Sequence, residues 1–131
     1  MDTKLQILLI EDDSDDIELL EEALMYNKVN YQLDVIMHGD KVMPYLSDII
    51  NFPDIIVLDF NIPKLHGREI LQLIKSSDTY NKIPIIVLTT SAAREDINYA
   101  LKMGASHFIT KPTSLEEFNK TVNIIVDTAV A

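Results

Sequence analysis

The chain has 131 residues, enough for one domain with a real core over 1–131 and too few for a second folded unit. Its 11 basic and 21 acidic residues give a formal charge of −10, which repels nucleic-acid phosphates and anionic membrane surfaces, so neither is expected as a partner. There is no cysteine for a disulfide or a thiolate metal site, and neither a secretion signal at Met1-Asp2-Thr3-Lys4 nor a membrane-spanning apolar run, which points to a soluble cytoplasmic protein.

Ile7-Leu8-Leu9-Ile10 is a short, continuous apolar run of the kind that forms a strand buried on both faces. It stops at Glu11-Asp12-Asp13-Ser14-Asp15-Asp16. Ile17, Leu20 and Leu24, with Leu19 and Ala23, then follow helical spacing to about Asn27. Asp13 or Ser14 can cap this helix, and Asp15, Asp16 and Glu18 are explained as a solvated cluster favouring the helix dipole. Glu11 and Asp12 precede the cap, at the strand end, where that explanation fits less well.

Tyr31 to Met37 reads as a strand nearer a sheet edge, because it is less purely apolar. His38-Gly39-Asp40 turns the chain into a helix over about Lys41 to Ile50, with Val42, Tyr45, Leu46 and Ile49 facing inward. Ile55-Ile56-Val57-Leu58 is a second fully buried strand, and Asp59 breaks it abruptly. A charge where an apolar strand surfaces is costly unless it is solvated or paired, and Pro63 and Gly67 mark a tight turn that leaves Asp59 at the strand's mouth. A helix follows from about Gly67 to Ser76, then a polar loop.

Ile83-Pro84-Ile85-Ile86-Val87-Leu88 is a third buried run, ending in Thr89-Thr90-Ser91. The helix predicted over Arg94 to Met103 has a thin apolar face of Ile97, Ala100 and Leu101, which implies weak anchoring, and Gly104 closes it. His107-Phe108-Ile109-Thr110 is the last strand and runs into Lys111-Pro112. Ser114 and Glu117 form a capping box for a final helix with Leu115, Phe118, Val122 and Ile125 as its stripe. Ile124, Val126, Ala129 and Val130 leave two readings of its end open, a homodimer contact or a frayed tail. His38, His66 and His107 lack metal-ligand spacing, and the methionines are read as core filling.

Five strands, most of them apolar, alternating with five helices predict an α/β fold of the flavodoxin-like type, a parallel sheet in the order 2-1-3-4-5 between two helical layers. Sites in such sheets lie beyond the carboxyl ends of the strands, where this chain places Glu11, Asp12, Asp59, Thr89 and Lys111. Three converging carboxylates raise one another's pKa or take a counter-ion, and an all-oxygen set suits a hard cation, above all Mg²⁺. With Lys111 and Thr89 added, the set is suited to cradle a phosphoryl group that Asp59 itself accepts.

Glu11-Asp12, Leu58-Asp59-Phe60-Asn61-Ile62-Pro63 with Gly67, Leu88-Thr89, Gly104-Ala105 and Lys111-Pro112, in this order and each near a strand end, resemble the receiver domains of two-component response regulators. The resemblance implies that Asp59 takes a phosphoryl group from a histidine kinase or a histidine phosphotransfer protein. It implies Mg²⁺ held by Asp12, Asp59 and the Asn61 carbonyl, with Glu11 acting through water, and phosphoryl contacts from Thr89 and Lys111. It also implies a cis Lys111-Pro112 bond, and a switch in which Thr89 and Phe108 move and remodel the face of the fourth helix, last strand and last helix for a downstream protein target. The wording of 58–71 and 88–91 resembles the single-domain group serving phytochrome-type kinases. Thr90 stands where the family usually has a smaller residue, and Phe108 where it often has Tyr. A pseudo-receiver, an Asp-nucleophile phosphohydrolase and a flavin carrier are the competing readings. The second is opposed by Asn61 where its general acid is needed, and the third by acidic residues where a flavin phosphate needs donors.

Overall fold

The computed structural model describes residues 4–131. Five parallel strands, β1 (Leu5–Ile10), β2 (Tyr31–Ile36), β3 (Ile55–Leu58), β4 (Ile85–Thr89) and β5 (His107–Thr110), form one sheet in the order β2-β1-β3-β4-β5. The helices are α1 (Ser14–Tyr26), α2 (Val42–Asp48), α3 (Gly67–Lys75), α4 (Arg94–Lys102) and α5 (Leu115–Val130). This is the flavodoxin-like arrangement expected from the alternation of elements.

Successive side chains of a strand point to opposite faces, and the core divides accordingly. Ile7, Leu9, Ile55, Val57, Ile86 and Leu88 pack with Leu20, Ala23 and Leu24 of α1 and Phe118, Val122 and Ile125 of α5. Leu8, Ile10, Ile56, Leu58, Ile85 and Val87 pack on the other face with Val42 and Leu46 of α2, Ile70, Leu71 and Ile74 of α3, and Ala100 of α4. Both layers are needed because β3, central in the sheet, has no polar side chain to offer either side.

Several local expectations are corrected. The second helix is shorter than Lys41 to Ile50: a 3-10 turn spans Gly39–Lys41, and α2 ends at Asp48, with Ile49 extended and Ile50 95% exposed. Pro44 fits in its first turn because the N–H it lacks would have no helical acceptor there. The Tyr45 hydroxyl donates to Asp34 Oδ2 at 2.7 Å and clips α2 to β2; burial, reinforced by Asp34, pushes that phenol up to about 12. Leu115, expected in the stripe of α5, is 57% exposed, since the first turn of the helix overhangs the layer, and Thr121 is buried instead, its hydroxyl donating to Glu117 O. Met43 and Met103 pack on the core, whereas Met25 and Met37 are exposed. No cis peptide bond occurs among the described residues, so Lys111-Pro112 is trans, the isomer favoured for X–Pro by about 0.5–1 kcal/mol.

α4 is held more thinly than its sequence suggests, because Ala100 is its one buried residue and Leu101 is half exposed. A polar strap supplements it. Ser91 Oγ donates to Asp96 Oδ2 at 2.6 Å, Arg68 of α3 pairs with Asp96 Oδ1, and the Tyr99 hydroxyl donates to Arg68 O at 3.1 Å. The Arg68 guanidinium also lies 5.2 Å from the Tyr99 ring centre.

The segment between β3 and α3 is tied down from beneath. Gly67 N–H donates to Phe60 O at 2.9 Å and Gly39 N–H to Pro63 O at 2.8 Å, while Lys64 takes a left-handed φ of 76°. A Cβ on Gly67 would stand 2.5 Å from Phe60 Cα and 2.8 Å from Asp59 O, both backbone atoms that cannot swing aside. Gly67→Ala is therefore expected to lower stability by about 2 kcal/mol, read as a fall in the urea midpoint.

Candidate phosphoryl and cation site

The ladder hydrogen bonds continue one residue past the strands at the carboxyl edge of the sheet. Glu11 N–H donates to Ile36 O at 3.0 Å, Asp59 N–H to Ile10 O at 3.0 Å, and Lys111 N–H to Thr89 O at 2.8 Å. Glu11, Asp59 and Lys111 are thus fixed in the strand register just where their strands leave the core. The site sits where the strand order reverses, between β1 and β3.

Their side chains meet at one ammonium. Lys111 Nζ lies 2.8 Å from Glu11 Oε1, 3.0 Å from Asp59 Oδ2 and 2.6 Å from Asp16 Oδ2. Glu11, Asp12 and Asp59 each bring a carboxylate oxygen within 4.8 Å of the others. Glu11, Asp59 and Thr89 are buried, while Asp12 and Asn61 are exposed at the mouth. Asp59 Oδ1 accepts from Asn61 N–H at 3.1 Å, and Glu11 Oε2 accepts from Asp12 and Asp13 N–H, each at 3.2 Å. Among the described residues no buried side-chain polar atom is left without a partner.

The surroundings treat the two buried acids differently. Burial pushes the Glu11 carboxyl up to about 7, with the Asp59 charge adding to the rise and Lys111 and the Asp13 N–H only partly opposing it. Burial disfavours the Asp59 charge as well, but the Asn61 N–H, the Thr89 hydroxyl and Lys111 outweigh it and hold this carboxyl below its ordinary value. For Lys111, burial is outweighed by Asp16, Glu11 and Asp59, which hold its ammonium well above the usual lysine range. Three carboxylates around one lysine, with Asp12 beside two of them, leave an excess of negative charge when all are ionised, and the acidic trio is all oxygen. A hard divalent cation fits that donor set.

Glu11, Asp12, Asp59, Thr89 and Lys111 are therefore brought together as the sequence predicts. Asp16 is the residue sequence reasoning missed. It lies in the first turn of α1, where the helix dipole already gives an acidic residue a reason to be. Spacing gives no signal for it, because Asp12 and the extended cap Asp13 precede the helix, so Asp12 and Asp16 do not share a helical face. Asp13, rather than Ser14, is the cap, accepting from the Asp15 and Asp16 N–H groups. His66 caps α3 through Nδ1, accepting from Arg68 N–H at 3.0 Å. Phe108 is half-buried, with its ring edge-on to Phe60 at 5.9 Å between centres.

The sequence model for the response regulator receiver domain matches residues 7–123. Response regulator Rcp1 of Synechocystis sp. is 32% identical over 121 residues, a stretch covering 88% of this chain and 82% of Rcp1. The crystal structure of the phosphorylated cyanobacterial phytochrome response regulator RcpA is similar with a TM-score of 0.87 at 34% identity, covering 98% of this chain and 96% of RcpA. The Mn²⁺-bound form of Rcp1 gives 0.82 at 32% identity, with 92% and 90% covered. The matched stretch takes in every strand end that carries a site residue, and the chain belongs to the family of response regulator receiver domains.

Proposed function

We propose that this chain is the phosphoacceptor of a two-component relay, with Asp59 receiving the phosphoryl group. The observation that carries the reading is the convergence of Glu11, Asp12 and Asp59 within 4.8 Å, with Lys111 Nζ 3.0 Å from Asp59. Asp59, held ionised, attacks the phosphorus of a phosphohistidine on a histidine kinase or histidine phosphotransfer protein. The P–N bond breaks, its electron pair returns to the imidazole nitrogen, and an acyl phosphate forms on Asp59. Mg²⁺ held by Asp12, Asp59 and the Asn61 carbonyl, with Glu11 behind them, would supply charge neutralisation for the phosphoryl oxygens. Lys111 and Thr89 contact the same oxygens and give the new group charge-assisted hydrogen bonds. The protein is thus a phosphoacceptor that assists its own modification rather than an enzyme acting on other substrates.

The output in this reading is a change of surface. Thr89 is drawn toward the phosphoryl group, Phe108 shifts in response, and the face of α4, β5 and α5 is offered to a downstream protein or to a second copy. The similarity to RcpA, a cyanobacterial phytochrome response regulator crystallised in its phosphorylated form, and to the Mn²⁺-bound form of Rcp1 supports a phytochrome-type kinase as donor and a divalent cation as cofactor. No helix among the described residues is long and apolar enough to cross a membrane, which suits a cytoplasmic relay.

Intact-mass analysis after incubation with Mg²⁺ and either a small phosphodonor or a phosphorylated kinase is expected to show one added phosphoryl group on the wild type and none on Asp59→Asn. An unmodified wild type with both donors would make the chain a constitutive binding module instead.

The raised pKa of Glu11 gives a second test. Folded Glu11 keeps its proton to about pH 7, whereas the unfolded chain releases it near the ordinary value of 4.5, so stability falls as the pH rises through that window. In EDTA at pH 8, Glu11→Gln is expected to be more stable than the wild type by on the order of 2–3 kcal/mol, with the gap closing by about pH 4.5. Saturating Mg²⁺ should narrow it by stabilising the wild type. Urea midpoints across pH read all three, and a less stable variant at pH 8 would contradict the strain assigned to Glu11.

A further inference from the structure

Asp16 is the carboxylate to which the phosphoacceptor reading gives no task. Its Oδ2 is nevertheless the nearest acidic oxygen to Lys111 Nζ, at 2.6 Å against 2.8 Å for Glu11 and 3.0 Å for Asp59. It is supplied by α1 rather than by a strand end, and it lies outside the trio of Glu11, Asp12 and Asp59. The Lys111 ammonium therefore has two kinds of partner, acids of the cluster suited to a cation and one carboxylate outside that trio.

These two sets differ once a cation is present. A divalent ion among Glu11, Asp12 and Asp59 repels the ammonium that now neutralises Glu11 and Asp59, and in a partly buried notch the repulsion is little screened. Lys111 cannot readily retreat to water, because its side chain is only 10% exposed and its backbone is fixed by the bond from its N–H to Thr89 O. Asp16 lets it withdraw from the cluster while staying paired.

Resting on the phosphoacceptor reading, we infer that Asp16 is a positioning residue for Lys111, holding the ammonium away from the cation when the acidic cluster is loaded and so strengthening cation binding. A general effect of negative charge on α1 would look similar, and Asp15 separates the two. It is adjacent, exposed and of the same charge, and it is not among the ion-pair partners of Lys111, which are Glu11, Asp16 and Asp59.

The experiment is a titration of the metal-free protein with Mg²⁺, followed by calorimetry and by amide NMR shifts, for wild type, Asp16→Asn and Asp15→Asn. Asp16→Asn is expected to raise the Kd about five-fold, the size expected for loss of one partly buried ion pair, and Asp15→Asn to change it by less than about two-fold. A second readout is the ¹⁵N resonance of the Lys111 ammonium. With Mg²⁺ bound it should stay observable in the wild type and in Asp15→Asn, and be lost to exchange with water in Asp16→Asn. Equal Kd values for all three proteins, or equal weakening in both variants, would overturn the inference. A wild type that binds no Mg²⁺ would overturn the phosphoacceptor reading itself, and this inference with it.

Discussion

The contact on which the site depends is the ammonium of Lys111 among acidic oxygens supplied by three parts of the chain: the end of β1, the end of β3 and the first turn of α1. It requires the register of a sheet whose central strands are buried on both faces. Ile10 lies beside Leu58 and Thr89 beside Thr110, so Glu11, Asp59 and Lys111 each leave the sheet at the same edge. A slip of one residue would turn every side chain of a strand to the other face, burying the charge or ejecting the apolar partner. The apolar cores on the two faces forbid that slip. Core packing thus sets the distance between groups that repel or attract one another, and the lysine makes the arrangement tolerable in the absence of a cation.

The same division explains which features could be read from the sequence. β1, β3 and β4 were legible because short, β-branched apolar runs have few alternatives, and Glu11 and Asp59 because a charge at the end of such a run needs a reason. Lys111 became meaningful only once the strands were placed in parallel. Asp16 was not legible, because the helix dipole already accounts for an acid in the first turn of α1, and its pairing depends on where β5 ends, 95 residues later in the chain. The early end of α2 and the exposure of Leu115 escaped for a related reason. Periodicity reports which face is apolar, but it does not say how far the neighbouring layer extends to cover it.

α4 shows how this matters beyond the site. Its thin apolar face was visible in the sequence, whereas its strap was not, since Ser91, Asp96, Arg68 and Tyr99 belong to a loop and two helices with no pattern linking them. Asp96 is held below its ordinary pKa first by the Ser91 hydroxyl and then by Arg68, so its carboxylate is charged across the physiological range. Its ion pair joins side chains that are 37% and 18% exposed, a setting in which such pairs contribute little to stability. Apolar burial cannot be undone without exposing surface to water, but a polar strap exchanges its partners for solvent at small cost. Ser91 stands two residues from Thr89, and its N–H lies 3.5 Å from Thr89 Oγ1, so the strap begins beside the hydroxyl that faces Asp59. α4 is thus a helix with one buried residue, supplemented by contacts of this exchangeable kind and tied at one end to the residues around Asp59, which is the make-up of a segment that opens locally at low cost.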